Sequence, residues 1–340
     1  MTGQHGDEDS DTALTGEALP PAFAGPREFS PSEIQESMRK AISAWLLRTP
    51  SDATRVAYNS DLHEFLRFAK IRPDELGQLA DVRPEHIAAW REQLAKAGRA
   101  NSTVRKKLTV IRSLFSYLQV YGYTGANPAH GKFVKAPTVP RDGKTVGLST
   151  RDCRRLLDTP DRVTPVGVRD RAILAVLAYS ACRVGELVKL RPGDFKSSGD
   201  HRVLAIRGKG GKERTVPLHP ESVERLNAWI ALAQLADERN GPLFRPAKSP
   251  RGLGKDGFRA APLTVRAVEY LVKHYAASLD LDPAVTVHSL RVTALTTARE
   301  RGADVIDLQD FAGHADPRTT LTYIRTRDRL SKSPAYVLKY

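Results

Sequence analysis

From Ser32 to about Gly125 the apolar positions recur at helical spacing, and nowhere do they alternate as strands do. Tyr58, Leu62, Phe65 and Ala69 fall at i, i+4, i+7 and i+11. Val104, Leu108, Ile111, Phe115 and Leu118 form a second stripe behind Asn101, which reads as an N-cap. With helices near 33–48 and 84–97, the spacing predicts a small four-helix domain over residues 31–125. The pattern stops in the stretch 126–147, rich in proline, glycine and basic residues, which reads as a basic linker.

A second unit is expected over 148–327. A helix from Ser149 to Asp158 leads into an apolar one near 168–180. Two strand-like runs follow, Val203–Ile206 and Arg214–Leu218, joined by the glycine-rich turn RGKGGKER. Helices near 219–237, 262–278, 288–301, 304–312 and 317–327 complete it. The fold class is therefore mainly α with a small antiparallel sheet, an α+β arrangement. Residues 1–30 carry no apolar period and read as a disordered acidic tail, while 328–340 form a short C-terminal tail.

Charge changes the picture from fold to partner. The 340 residues carry a formal net charge of +14, yet residues 1–30 hold six acidic and only one basic residue, so the folded part is more basic still. Such a balance points to a polyanion, nucleic acid first, because each neutralised phosphate releases counterions. Arginine outnumbers lysine 36 to 17, which suits forked contacts to phosphate. The longest near-apolar run, Ala172–Cys182, covers about half the ~20 residues of a membrane span. The acidic N-terminus lacks a signal peptide, and two cysteines without ligand spacing argue against a disulfide framework or a zinc site. A cytoplasmic, nucleoid-associated protein with no membrane partner is expected.

Familiar enzyme signatures are missing. The Gly208–Lys212 turn lacks the Ser or Thr of a phosphate-binding P-loop, and no G-x-S-x-G or H-E-x-x-H occurs. What remains is a set of cationic and hydrogen-bonding residues. SACRVGELV at 180–188 places Arg183 where an apolar helix ends, and HSLR puts His288 and Arg291 on one helix face. In GHADPRTTLTY, Asp316-Pro317 is a strong helix start, which puts Tyr323 in the second turn, nine residues after His314.

In these elements the chain resembles the tyrosine recombinases, the phage-integrase-type site-specific recombinases. The matching features are Arg183 to Leu187 (Arg-x-x-Glu-Leu), the hairpin GKGGKERTVPL, His-x-x-Arg, and Gly-His followed by the tyrosine. TRVAYNSDLHEFLRF resembles the opening helix of the family's core-binding (SAM-like) DNA-binding domain. Ala181, Val292 and Ala312 depart from the common pattern, where Gly, His and Leu are frequent. A two-site phage integrase would carry an added arm-binding domain, so the resemblance leans to a Xer-like resolvase or a mobile-element integrase.

The resemblance implies an enzyme that cuts and rejoins DNA through a 3′-phosphotyrosyl intermediate, without metal, nucleotide or other cofactor. It makes Arg183 and Arg291 the clamp on the scissile phosphate and Lys209 the acid that protonates the leaving oxygen. His288 is the base or hydrogen-bonding partner, His314 holds the phosphate, and Tyr323 is the nucleophile. Two alternatives stand beside it: a catalytically silent DNA-binding regulator and a type IB topoisomerase-like activity. Arg105, Lys106, Lys107 and Arg112 on the helix at 101–121 are expected to face double-stranded DNA. Strand exchange between two sites implies a homotetramer on DNA, with the tail 328–340 docking on a neighbouring subunit.

Overall fold

In the computed structural model, the described residues are 30–49, 51–139, 145–208, 211–249 and 257–324, with Tyr323 and Ile324 described by backbone only. The expected acidic tail, apart from Ser30, and the whole of the expected docking tail lie outside them. The chain divides into two compact units, residues 1–139 and 140–340.

The first unit contains α1 (Pro31–Leu47), α2 (Asp52–Ala69), a 3-10 turn over Leu76–Asp81, α3 (Pro84–Lys96) and α4 (Asn101–Val120). Each helix buries one stripe. Met38 and Trp45 of α1, Leu62 and Phe65 of α2, Trp90 of α3 and Leu108, Ile111 and Phe115 of α4 meet in one core. Phe65 sits edge-on to both Trp90 and Phe115, with ring centroids 5.1 and 6.3 Å apart. Two details differ from the sequence reading. Ala100 is the N-cap of α4, and Asn101 lies inside the helix, where its amide donates to the Thr138 carbonyl at 3.1 Å. The first part of the expected linker is also packed on this unit. Asn127 donates to the Arg112 carbonyl at 3.0 Å and to Ser116 Oγ at 2.8 Å, and Ala129 and Val134 join the core. The prolines and glycines there mark an ordered loop with its own apolar anchors.

The second unit begins with α5 (Thr150–Asp158) and α6 (Pro165–Ser180). Thr164 caps α6, accepting from the Gly167 N–H at 3.2 Å, with Pro165 at the first helical position. The unbroken apolar run Ala172–Leu177 of α6 is buried throughout, and the apolar residues flanking it are partly buried. A one-turn helix α7 (Val184–Leu187) follows, then strands β1 (Phe195–Ser198), β2 (His201–Arg207) and β3 (Glu213–Pro217). They form an antiparallel sheet in the order β1-β2-β3, and its β2–β3 hairpin closes with Arg207 opposite Glu213. Helices α8 (Pro220–Leu232), α9 (Val265–Ala277), α10 (Val287–Glu300), α11 (Val305–Ala312) and α12 (Pro317–Ile324) complete the unit. Ile173, Leu177, Leu204, Ile206, Trp229 and Leu290 sit in its main core. A smaller cluster of Ala181, Leu295, Leu308 and Ala312 joins the ends of α6 and α11 to α10.

Candidate active site

Arg291 is the centre of the site. It points inward from α10 and is 1% exposed. Its Nη1 donates to the Ala181 carbonyl, and its Nη2 to the Ala312 carbonyl at 2.7 Å. Both carbonyls stand at helix C-termini, where the last C=O groups have no intrahelical partner and carry partial negative charge. Ala181 caps α6 in a left-handed conformation (φ 48°), and Ala312 is the last residue of α11. The small cluster beneath holds both peptides in place.

Arg291 Nη2 also meets His314 Nε2 at 2.7 Å, and His314 Nδ1 lies 2.9 Å from Thr320 Oγ1 on α12. His314 is 6% exposed. Burial, then Arg291, Arg183, Arg214 and His288, bring its pKa down to about 4, so the ring is neutral at neutral pH. His288 stands at the surface three residues before Arg291. Partial burial of its imidazole, then the charges of Arg291 and Arg183, lower its proton affinity. It too favours the neutral form, with a lone pair to offer.

Arg183 begins α7 and is part-exposed, the state of a side chain that can reach a ligand. Its Nη1 donates to Glu186 Oε1 at 2.9 Å, and its Nη2 approaches the Gly313 carbonyl at 3.4 Å. The two arginines thus reach the consecutive carbonyls of Ala312 and Gly313. Glu186, 6% exposed, accepts from the Arg183 N–H at 2.9 Å and from Arg214 Nη2 at 2.8 Å. Burial alone would raise its pKa, but the hydrogen bonds from Arg214 and Arg183 outweigh it and hold the carboxyl below its ordinary value. Arg214 of β3 also donates to the Phe311 carbonyl at 3.2 Å. Gly313 ends α11 at φ 61°, and a Cβ there would lie 2.9 Å from Arg214 Nη1, so glycine fits the site on both counts.

Asp316 starts α12 by accepting from the Arg318 N–H at 2.9 Å, and the backbone of Tyr323 lies in that helix. The Tyr323 side chain and all of Lys209 lie outside the described residues. The structure therefore brings together Arg183, His288, Arg291 and His314 of the expected set, in the unit that carries Tyr323. Arg214 and Thr320 are not singled out by the sequence: an arginine on the second strand of a hairpin and a threonine in TTLTY look solvated until burial is known.

The four residues expected to face DNA divide. Arg105 and Lys106 are exposed on α4. Lys107 is buried, with its ammonium 2.5 Å from Asp61 Oδ1 and 2.7 Å from Glu64 Oε2. Burial works against its charge, but the bonds to Asp61 and Glu64 prevail and raise its pKa. Arg112 is half-buried and donates to the carbonyls of Ala129 (2.7 Å) and Val134 (3.2 Å), tying down the loop after α4. The expectation for Lys107 and Arg112 is thus corrected: both are spent on internal partners. Among the described residues no three His, Cys, Asp or Glu side chains could together hold a metal ion, and no helix is long and apolar enough to cross a membrane.

Comparison with known proteins identifies the family and the fold. Residues 147–329 match the phage integrase family, and residues 44–120 match the phage integrase N-terminal SAM-like domain. A tyrosine recombinase XerC from Thermodesulfovibrio yellowstonii is 31% identical over 278 residues, 82% of this chain and 87% of that protein. A lambda integrase dimer bound to a COC′ core site has the same fold, with a TM-score of 0.65 at 16% identity, over 86% of this chain and 96% of that one. A lambda integrase tetramer bound to a Holliday junction superposes with a TM-score of 0.64 at 18% identity, over 86% and 78%. The chain belongs to the phage integrase family, the site-specific tyrosine recombinases.

Proposed function

We propose that the chain cuts and rejoins double-stranded DNA at specific sites by attack of Tyr323 on a backbone phosphodiester. The observation that carries this reading is the convergence of Arg183 and Arg291 on the carbonyls of Ala312 and Gly313, just ahead of the helix that bears Tyr323. Attack of the tyrosine oxygen on phosphorus loads negative charge onto the non-bridging oxygens, where two guanidinium groups stabilise it more than in the ground state. The P–O5′ bond breaks as the Tyr323–phosphorus bond forms. Lys209 protonates the departing O5′, and His288, poised in its neutral form, takes the proton from the tyrosine. His314 contributes to the phosphate-binding set through Arg291, whose guanidinium lies 2.7 Å from its Nε2. The product is a 3′-phosphotyrosyl enzyme and a free 5′-hydroxyl. The ester linkage is conserved, so religation to a partner strand needs no ATP, metal or other cofactor.

Arg105 and Lys106 supply part of the electrostatic grip on the duplex, and the enzyme acts at the nucleoid, in the cytoplasm. Exchange between two sites needs four cleaved strands, hence four copies of Tyr323 in one homotetramer, with residues 328–340 as the link between subunits. Its recombinase relatives favour strand exchange over a silent regulator or a type IB topoisomerase. The test is a suicide substrate nicked beside the cleavage point. Wild-type protein should become covalently attached in the presence of excess chelator, and Tyr323→Phe should bind the same DNA without attachment. An adduct with the Phe variant removes Tyr323 from the assignment.

A further inference from the structure

Two hydrogen bonds fix the protonation pattern of His314. A guanidinium can only donate, so at the 2.7 Å contact with Arg291 Nη2 the imidazole Nε2 must accept. The neutral ring then carries its proton on Nδ1, which faces Thr320 Oγ1 at 2.9 Å. A threonine hydroxyl can accept it. Thr320 is fully buried at 0% exposure, and His314 is nearly so, which removes competition from water.

We propose that Thr320 is a positioning residue for the arginine clamp: its hydroxyl holds His314 in the Nδ1–H tautomer and so keeps Nε2 as the acceptor for Arg291. Arg291 Nη2 has two protons, and the Ala312 carbonyl and His314 take both. That fork is thereby set in plane by one backbone and one side-chain acceptor. In the other tautomer an Nε2–H would confront an N–H of Arg291, and the guanidinium would have to turn. Thr320 lies on α12 three residues before Tyr323, so the same bond ties the tyrosine's helix to the clamp. Assembly of the clamp and docking of that helix become a single event.

This inference rests on the role of Arg291 given above, and the experiment separates the two. In full-length protein labelled with 15N-histidine, long-range 1H–15N spectra should show His314 with a protonated Nδ1 and an accepting Nε2, assigned by its loss in His314→Asn. Thr320→Val keeps the shape and removes the hydroxyl. It should shift His314 away from the pure Nδ1–H pattern and slow covalent capture on the nicked substrate roughly ten- to a hundredfold, the scale of a misplaced catalytic group. Thr320→Ser should restore both. A Thr320→Val protein whose His314 remains purely Nδ1–H overturns the proposal, as does a Thr320→Ser protein as impaired as the valine variant, because the methyl group's packing would then be what matters. Should wild-type protein form no adduct, the reading of Tyr323 chemistry fails, while the tautomer spectra still decide the role of Thr320.

Discussion

Replacing Glu186 by glutamine tests how the clamp is built. Glu186 Oε2 accepts from the Arg183 N–H and from Arg214 Nη2, and Oε1 accepts from Arg183 Nη1. A glutamine in the same rotamer can place its oxygen at the Oε2 position and keep two of these bonds. Its NH2 group then faces Arg183 Nη1, donor against donor, and the Arg183 guanidinium must leave. The Arg183 side chain is 44% exposed, so solvent screens that pair and its loss costs about 0–1 kcal/mol. The Arg214 side chain is 14% exposed and loses the charge assistance of its bond, about 1–2 kcal/mol. Glu186→Gln should therefore lower the urea-derived unfolding free energy by about 2 kcal/mol with an unchanged m value. Glu186→Ala leaves both arginines without the carboxylate and should cost about 3–5 kcal/mol. Adduct formation by the glutamine variant should fall about ten- to a hundredfold, because displacing Arg183 would break up the proposed clamp. A Glu186→Gln protein within about 0.5 kcal/mol of wild type, with an unaltered cleavage rate, refutes the idea that this carboxylate sets the arginine.

Lys107→Ala should destabilise the first unit by about 3 kcal/mol in urea, since it leaves buried Asp61 with only the exposed, more distant Lys106 at 3.9 Å; an unchanged transition would mean the Lys107 ion pair contributes nothing. Replacing Arg105 and Lys106 together by alanine should leave stability alone while weakening DNA binding and reducing the slope of log affinity against log salt by about 2; an identical slope moves the contact elsewhere. The low proton affinity of folded His314 makes stability pH-dependent. Between about 6.5, its ordinary value, and about 4 the unfolded chain binds a proton that the folded one does not. Stability should fall through that window as pH drops, by up to about 3 kcal/mol, and His314→Asn should flatten this limb. Parallel pH curves for the two proteins would contradict the depressed value.

The helices were legible because their apolar positions recur at helical spacing and, at Asp316-Pro317, a start signal agrees, whereas the start of α6 at Pro165 lies ahead of the 168 expected from the apolar run. Strand β1 was not. Phe195–Ser198 has one buried residue and three exposed, and it is a strand only by virtue of pairing with β2. At the site, motif spacing picked out the arginines, histidines and tyrosine. Thr320 and Arg214 escaped because their burial is made by elements distant in sequence. Lys107 was misread for a geometric reason. Consecutive helical residues are about 100° apart, so Arg105, Lys106 and Lys107 cannot share one face. Lys107 falls within the stripe of Val104, Leu108 and Ile111, where only a matching carboxylate makes it tolerable.

Ala181 and Ala312 both touch Arg291. They do so through the main chain. What the guanidinium reads is the direction of two peptide groups at the ends of α6 and α11, and any side chain compatible with those turns presents the same oxygen. The orientation of Arg291 is thus encoded in helix length and termination, with small side chains at 181 and 312 fitting the buried cluster beneath. A larger side chain at either position would crowd the buried cluster that seats these peptides, and inserting or deleting one residue near either helix end would swing a carbonyl aside and misaim Arg291.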